Sequence, residues 1–193
     1  MRIIAGTARG RRIEAPPGRD TRPTLDRVRE NLFNMLQDRV VNARVLDPFA
    51  GSGALSLEAL SRGAAFAVLG DRDRTAHRVE LKNIETLGFQ NRTRVLLSEW
   101  QRTLERLRSE RDCFDLVFLD PPYAMQDLTD VFDMLKDLLT MDAWVIVEHE
   151  AKAVIRAGQA FNLVKSRSWG YCGVSFYSLL TGEKTEGEEE SVE

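Results

Sequence analysis

The sequence predicts an α/β fold in which a mainly parallel seven-stranded sheet carries helices on both faces and ends in an antiparallel hairpin. Three observations lead to this prediction. Short apolar runs alternate with segments whose apolar residues recur at helical spacing, which is the pattern of strands joined by helical crossovers. A glycine turn follows the first strand of the alternation and leads into a helix. Near the end of the chain, two β-rich runs flank a short segment that contains two glycines, which favours a hairpin.

The chain opens with two short β-like stretches, at residues 2–5 and 11–15, on either side of the glycine-punctuated loop 6–10. Two prolines and a glycine at 16–18 then interrupt regular structure. A helix is predicted to begin near Thr24, because apolar residues recur at helical spacing beyond it. Its apolar stripe consists of Leu25, Val28, Leu32, Met35 and Leu36.

The rest of the chain alternates between strand and helix patterns. Strands are predicted from residue 44 and at 64–69, 94–97, 114–119, 143–147, 161–169 and 174–180, and helices at 54–60, 75–87, 100–108 and 128–139.

Length and composition favour one main domain. With 193 residues and 43% hydrophobic content, the chain can bury one core and is short for two domains. We divide it into a basic N-terminal arm (1–23), a main domain (24–181) and an acidic tail (182–193). The tail is expected to be disordered, because it has few apolar groups. No apolar stretch is long enough to span a membrane, and glycine and arginine interrupt the start before a signal sequence could form, so we expect a cytoplasmic protein.

Asp120-Pro121-Pro122-Tyr123, which follows the apolar run 114–119, is the most informative motif. Two prolines without N–H groups, a carboxylate and an aromatic ring offer hydrogen-bond acceptors and almost no donors. This chemistry suits the exocyclic amine of a nucleobase. Asp120 and the Pro121 carbonyl could each accept one N–H group, while Tyr123 stacks on the base. On this motif alone, an ordinary Pro-Pro loop is the alternative.

The glycine turn predicts a ligand at a helix N-terminus. It reads Asp47-Pro48-Phe49-Ala50-Gly51-Ser52-Gly53, and Ser56 stands where a dinucleotide fingerprint would have its third glycine. A dinucleotide is therefore disfavoured. Asp71 ends the next strand about 20 positions beyond the glycines, where an acid usually grips a ribose diol. A solvated surface turn is the alternative interpretation of Asp71.

Together these motifs resemble those of S-adenosylmethionine-dependent amino-group methyltransferases. Two N-terminal segments, 2–12 and 22–36, narrow the resemblance to the RsmD-type enzymes, over roughly residues 2 to 180. The resemblance implies a Rossmann-like class I methyltransferase fold whose first and fourth strands are neighbours, and S-adenosylmethionine as cofactor. It also implies methylation of a guanine N2, at guanine 966 in the family, in 16S rRNA of a partly assembled bacterial small ribosomal subunit.

The resemblance assigns roles to the matching residues. The implied catalytic residues, which hold the guanine amine, are Asp120, Pro121, Pro122 and Tyr123. The implied cofactor-binding residues are Asp47, Phe49, Gly51, Ser52, Gly53, Asp71, Arg72, Ser98 and Glu99. Two positions differ from the family's pattern. Asp71 replaces a more frequent Glu, and Ser98-Glu99-Trp100 replaces a short Asp or Asn followed by Ala at the adenine contact.

The net charge of −3 conceals an uneven distribution. Residues 1–30 hold eight arginines and four acids, a net charge of +4, and residues 183–193 hold six glutamates and one lysine, a net charge of −5. Because arginine suits phosphate geometry, we expect the basic arm to contact RNA, with a solvated charged face as the alternative. The candidate contacts are Arg2, Arg9, Arg11, Arg12 and Arg22.

No metal is predicted. Cys113 and Cys172 lack metal-ligand spacing and are interpreted as reduced thiols. The strand-end run Glu148-His149-Glu150 places its side chains on alternating faces, so we assign it a structural role, with a minor role in lining the cleft as the alternative.

The expected mechanism is direct transfer of the methyl group to a splayed-out guanine, with Asp120 orienting the amine and stabilising its developing charge. We expect a monomer. Three other functions fit parts of the sequence: an adenine-N6 DNA methyltransferase, a protein-glutamine methyltransferase, and a noncatalytic RNA-binding assembly factor.

Overall fold

The structure, a computed structural model, describes residues 1–17, 23–122, 125 and 127–180, with the backbone alone at residues 23–25. Three predictions lie outside the described residues: the RNA contact at Arg22, the stacking role of Tyr123, and the disordered tail 182–193. In the part of the chain that is described, no helix has both the length and the apolar character needed to cross a membrane.

A seven-stranded sheet lies at the centre of the fold. Its strands are β1 (Arg44–Asp47), β2 (Phe66–Asp71), β3 (Thr93–Leu97), β4 (Phe114–Leu119), β5 (Leu139–Glu150), β6 (Phe161–Trp169) and β7 (Cys172–Leu179). Their order across the sheet is β3-β2-β1-β4-β5-β7-β6. The first five strands are parallel, whereas β7 runs antiparallel to both β5 and β6. The predicted parallel sheet with an antiparallel C-terminal hairpin is confirmed.

Helices cover both faces of this sheet. They are α1 (Pro23–Leu36), α2 (Ala54–Ser61), α3 (Arg74–Leu87), α4 (Trp100–Ser109) and α5 (Thr129–Leu135). Successive side chains of a strand point to opposite faces, so each strand contributes to two apolar clusters. Val45 packs in the cluster that holds Leu57 of α2, and Leu46 packs in the cluster that holds Leu104 of α4. Helices α1 to α3 contribute to the first cluster, and α4 and α5 to the second.

Strand β5 and helix α5 differ most in extent from their predictions, while β2 lies two residues later than predicted and β7 begins two residues earlier. Strand β5 is twelve residues long and exceeds the predicted range 143–147 at both ends. Its first residue pairs with β4 and its last with β7, so pairing with distant strands extends β5 through polar positions. Helix α5 ends at Leu135 and continues as a 3₁₀ turn, Lys136–Leu138, instead of an α-helix to residue 139.

The N-terminal arm is docked against the main domain. An isolated bridge pairs Arg2 with Arg12, in place of two regular strands, and Ile3 and Ile13 are buried in the cluster of α1 to α3. Gly6 has a φ of 81°, and a Cβ atom there would overlap the backbone of Ser61 in α2. The arm therefore packs as part of the core, and the division of the chain at residue 23 stays a prediction.

Buried polar side chains of α2 fix the path of the arm. The two carboxylate oxygens of Glu58 accept the N–H groups of Ile4 and Ala5, at 2.8 and 3.0 Å. The Ser61 hydroxyl donates to the Ala5 carbonyl at 2.6 Å and accepts from the Ala8 N–H at 2.9 Å. These bonds satisfy arm backbone groups that would otherwise be buried without partners.

Candidate active site

The carboxyl ends of the parallel strands form the site. Strand β1 lies between β2 and β4, so the strand order reverses there. Ligands of such sheets bind beyond the carboxyl ends of the strands at this switch point. The glycine turn follows β1, and the segment 120–122 follows β4. The structure therefore confirms the adjacency of the first and fourth strands that the resemblance implied.

A cavity of about 310 Å³ opens at this edge of the sheet. Its walls come from the ends of four strands and the turns that follow them. Residues that the sequence assigned to cofactor or substrate supply much of the lining, namely Phe49, Asp71, Arg72, Glu99, Asp120 and Pro122. One cavity thus brings the predicted ribose-binding acid and the predicted amine acceptor together.

Asp71 holds the glycine turn in place. One carboxylate oxygen accepts the Gly51 N–H at 2.9 Å, and the other accepts the Asp73 N–H at 2.8 Å. Gly53 has a φ of 75°, in the left-handed region that favours glycine, and a Cβ atom there would lie 2.8 Å from Leu69 Cδ2. Gly51, Ser52 and Gly53 are buried, and they stand behind the cavity rather than among its lining residues.

Asp47 is a buried carboxyl group at the start of the same turn. The Ser56 hydroxyl donates to Oδ2 at 3.1 Å, while Oδ1 has no hydrogen-bond partner among the described residues. The pKa of Asp47 is raised to about 7, mainly by burial and to a smaller extent by the charge of Asp71, while the hydrogen bond from Ser56 opposes the rise. Asp47 Oδ1 is therefore available to accept a hydrogen bond from an additional donor or to contact a cation.

Helix α3 contributes polar side chains that the sequence analysis missed. Asn83 donates to the Ser52 carbonyl at 2.9 Å and to the Glu14 carbonyl at 3.0 Å, which ties the turn to the arm. Glu80 is fully buried, and neither carboxylate oxygen has a hydrogen-bond partner among the described residues. The available signal was their position on the buried, otherwise apolar stripe of the helix, with Ala76, Ile84 and Leu87.

The pKa of Glu80 is raised to about 9, mainly by burial and to a smaller extent by the charges of Asp71 and Asp47. His77 Nδ1 lies 3.8 Å from Glu80 Oε2, which is too far for a hydrogen bond. Glu80 is therefore protonated at neutral pH, so the side chain beneath the glycine turn carries no charge.

The side of the cavity after β3 is framed by aromatic rings. The rings of Phe49 and Trp100 lie 6.4 Å apart at 41°. Ser98 is not among the residues that line the cavity, and its hydroxyl lies 2.6 Å from that of Thr103. Arg72 Nη1 lies 3.8 Å from Glu99 Oε2. In the sequence, Trp100 stood out only as a departure from the family's pattern at the adenine contact. The available signal for a role in the cavity was an aromatic residue at the start of a helix that follows a strand.

The acceptor segment, defined as residues 120–122, follows β4 with Pro121 buried and Pro122 exposed. The Pro122 carbonyl accepts the Met125 N–H at 2.7 Å. The Pro121 carbonyl takes part in no backbone hydrogen bond with a described residue. Cys172 Sγ lies 3.4 Å from Glu148 Oε1, and burial raises the pKa of this thiol, with further contributions from Glu148 and Asp120.

The arm arginines have different environments. Arg2, Arg9, Arg11 and Arg12 are all exposed. The Arg11 guanidinium donates to the carbonyls of Thr86 and Leu87 at the end of α3. Arg2 Nε lies 3.7 Å from Asp26 Oδ2. Arg11 therefore stabilises the docked arm, whereas Arg9 and Arg12 have no recorded ion pair among the described residues.

His149 has a structural position. Its Nδ1 lies 2.7 Å from the Glu150 carbonyl and its Nε2 lies 2.8 Å from the Ser175 hydroxyl. No group of His, Cys, Asp and Glu in the described part of the chain could hold a metal ion.

Comparisons with known proteins agree with this geometry. A family model described as conserved hypothetical protein 95 matches residues 1–178. Ribosomal RNA small subunit methyltransferase D of Escherichia coli K12 is 42% identical over 154 residues, which is 79% of this chain and 76% of that protein. The solved structure of a hypothetical protein from Thermus thermophilus is 30% identical, with a TM-score of 0.77 over 91% of this chain and 98% of that one.

A Streptococcus mutans protein complexed with SAH shares the fold at 14% identity, with a TM-score of 0.67 over 79% of this chain and 48% of that one.

Proposed function

The chain belongs to the family described as conserved hypothetical protein 95, which bears out its resemblance to the RsmD-type methyltransferases, and we propose that it methylates N2 of a guanine in 16S rRNA. One observation carries this proposal. The predicted ribose-binding acid Asp71 and the predicted amine acceptor Asp120 line the same cavity. A methyl donor held by the first and an amine held by the second would meet there.

The residues of the cavity fit S-adenosylmethionine. Asp71 offers a carboxylate to the ribose hydroxyls at a strand end, as ribose-binding acids do. Phe49 and Trp100 offer aromatic faces to the adenine. Asp47, which is buried behind the cavity, is assigned the ammonium group of the methionine part, because its Oδ1 has no hydrogen-bond partner among the described residues. When bound, S-adenosylmethionine supplies an electrophilic methyl group on its sulfonium.

Asp120 and the Pro121 carbonyl accept the two N–H groups of the guanine amine, and Tyr123 stacks on the base. The two prolines stiffen the segment and add no N–H donors that would compete for the acceptors. The amine nitrogen attacks the methyl carbon in line with the breaking carbon–sulfur bond. Asp120 stabilises the positive charge that develops on nitrogen, and the proton is then lost to Asp120 or to water.

The substrate is guanine 966 of 16S rRNA, the position implied by the family, in a partly assembled small subunit in the cytoplasm. The target guanine leaves its stack to enter the cavity, as enzymes that act on base atoms require. Arg9 and Arg12 of the arm contact RNA phosphates, since both are exposed and the arm is basic. The protein acts as a monomer and without a metal.

The test is methyl transfer from labelled S-adenosylmethionine to three substrates in parallel: undermethylated small ribosomal subunits, naked 16S rRNA and duplex DNA. The proposal predicts label in N2-methylguanosine, with more transfer to subunits than to naked RNA. Equal transfer to both would retain the reaction and replace the subunit with free RNA as the substrate.

The competing functions predict other outcomes of the same assay. Label in N6-methyladenine of the duplex would establish a DNA methyltransferase. Binding of S-adenosylmethionine without transfer to any nucleic acid would favour the protein-glutamine methyltransferase. Failure to bind S-adenosylmethionine, together with binding to the subunit, would favour a noncatalytic assembly factor.

A further inference from the structure

A second, smaller cavity of about 20 Å³ lies against the acceptor segment. Pro121, Pro122 and Met125 form one side of it, and the other side consists of the end of β5 and the residues after it, namely Glu148, His149, Glu150, Ala153 and Ile155. Pro122 and Met125 line both this cavity and the large one. The small cavity is therefore adjacent to the place where the amine is bound, and the proposed reaction assigns it no occupant.

The sheet register places Glu148 beside Asp120. Leu119 of β4 pairs with Val147 of β5 in parallel. The residue that follows each of these is an acid. Continuing the register by one position beyond the end of β4 puts Asp120 opposite Glu148 of β5, on the same face and about 5 Å apart at the backbone. Both carboxylates contribute to the raised pKa of the Cys172 thiol, which agrees with this arrangement.

His149, the next residue, points to the other face and fixes the position of Glu148. Its two ring nitrogens bond to the Glu150 carbonyl and the Ser175 hydroxyl. Gly173 of β7 makes room for the ring, since a Cβ atom there would lie 2.5 Å from His149 Cε1. This packing holds the end of β5 against β7, and with it the position of Glu148 next to the acceptor segment.

Glu148 is a half-buried carboxyl group with a weak donor beside it. Burial raises its pKa, which hydrogen bonding to Cys172 and the charges of His149 and Arg29 oppose. Among the described residues, the Cys172 thiol is the side-chain donor recorded for this carboxylate. A thiol is a poor donor, so an N–H group from a ligand would be a stronger partner.

We propose that Glu148 accepts the N1–H group of the target guanine while Asp120 accepts its N2 amine. This inference rests on the proposed function. Guanine presents the N1–H and N2 donors side by side on its Watson–Crick edge, whereas adenine presents an acceptor, N1, beside its amine. Two adjacent carboxylates therefore match guanine, and Glu148 would oppose the lone pair of adenine N1. Glu148 is then the residue that selects guanine at this site.

The test compares guanine with 2-aminopurine at the target position of the RNA substrate. 2-Aminopurine keeps the 2-amino group, but its N1 is an acceptor without a hydrogen. Wild-type protein is expected to methylate guanine with a higher kcat/KM than 2-aminopurine. Glu148→Gln removes the charge and adds an N–H donor that could bond to N1 of 2-aminopurine, while one acceptor oxygen is kept. The preference for guanine should therefore fall by about 10- to 100-fold, as expected when a hydrogen bond to a charged group is lost.

Controls separate specificity from folding. Asp142→Asn, an exposed acid at the other end of β5 that lines neither cavity, should keep the wild-type preference. Glu148→Asp keeps the charge with a shorter reach and should give an intermediate preference, which provides a second test if Glu148→Gln does not fold. The affinity for S-adenosylmethionine and the thermal unfolding midpoint should be unchanged in each folded variant.

An unchanged guanine preference in both folded Glu148 variants would overturn the role of Glu148 and leave the methyltransferase proposal intact. Absence of N2-methylguanosine from the wild-type reaction would overturn both.

Discussion

The two sides of the large cavity differ in how their backbone is hydrogen-bonded. In the cofactor corner, defined as residues 47–53 and 71–73, side chains of the protein bond the backbone of the turn. Asp71 holds the N–H groups of Gly51 and Asp73, and Asn83 holds the Ser52 carbonyl. In the acceptor segment, prolines remove backbone donors, and the weak donor Cys172 accompanies the adjacent Glu148.

This difference indicates a division of labour. A corner whose own bonds fix its shape can bind a ligand without reorganising, because its conformational entropy has already been lost on folding. In the proposed function, the acceptors of the segment 120–122 receive the N–H donors of the substrate. Changes in the corner should therefore alter cofactor affinity, and changes in the acceptor segment should alter turnover.

The largest effect is expected from Asp120→Ala. Loss of the acceptor that orients the amine and stabilises its charge should lower kcat by about 100- to 1000-fold. The affinity for S-adenosylmethionine should stay within about threefold of wild type, because the cofactor corner is unchanged. Single-turnover methyl transfer and equilibrium cofactor binding measure the two quantities. Asp133→Ala, an exposed acid on α5, is the control, and equal losses of turnover and affinity would count against the division.

Asp71→Asn should produce the opposite pattern. The amide has one acceptor oxygen, whereas the carboxylate uses one oxygen for the Gly51 N–H and the other for the Asp73 N–H. The amide also has no charge to offer to the ribose hydroxyls. Cofactor affinity should fall by about 10- to 100-fold, while kcat at saturating cofactor should change little. Titration calorimetry with S-adenosylmethionine and turnover at saturation give the two values. A variant with normal affinity and low kcat would move Asp71 from binding to catalysis.

Glu80→Gln tests the neutral group beneath the corner. The folded pKa of about 9 exceeds the ordinary value of 4.5, so folded protein binds more protons than unfolded protein between these pH values. The free energy of unfolding of the wild type should therefore fall as pH rises from about 5 to about 9, by up to about 1.4 kcal/mol per pH unit. The variant should show a flatter dependence in urea unfolding across this range. Exposed Glu85→Gln, on the same helix, should behave as the wild type.

The smallest effects are expected in the arm. Arg9→Ala and Arg12→Ala should each weaken binding to small-subunit RNA a few-fold and reduce the slope of log affinity against log salt by about 0.7 to 0.9. Arg11→Ala should instead lower the stability by about 1 kcal/mol, because it removes bonds to the end of α3. Filter binding at several salt concentrations and thermal unfolding distinguish these outcomes. An Arg11 variant of normal stability with reduced RNA affinity would assign Arg11 to the RNA.

Local patterns predicted the sheet, its hairpin edge and the motifs at the strand ends. Asp71, Phe49 and Asp120 could be placed because each follows an apolar run that marks a strand, and strand ends of a parallel sheet share one edge. The adjacency of β1 and β4 came from the resemblance, because strand order depends on contacts between distant segments.

What the sequence did not predict depends on long-range packing. Glu80 and Asn83 gain their positions when α3 packs beneath the glycine turn, and Glu148 gains its position from the register of β5 with β4. In the sequence, nothing distinguishes Arg11 from the other arginines of the arm. Its bonds to the end of α3 depend on how the arm packs against the main domain. None of these contacts joins residues that are close in sequence.

The identity of the nucleoside methylated by the wild-type protein tests the central claim most directly. Undermethylated small subunits are incubated with the protein and S-adenosylmethionine, and the 16S rRNA is then digested and analysed by mass spectrometry. The account predicts one added methyl group per subunit, in N2-methylguanosine. A methyl group on any other base or atom, or none with protein that binds the cofactor, would contradict it.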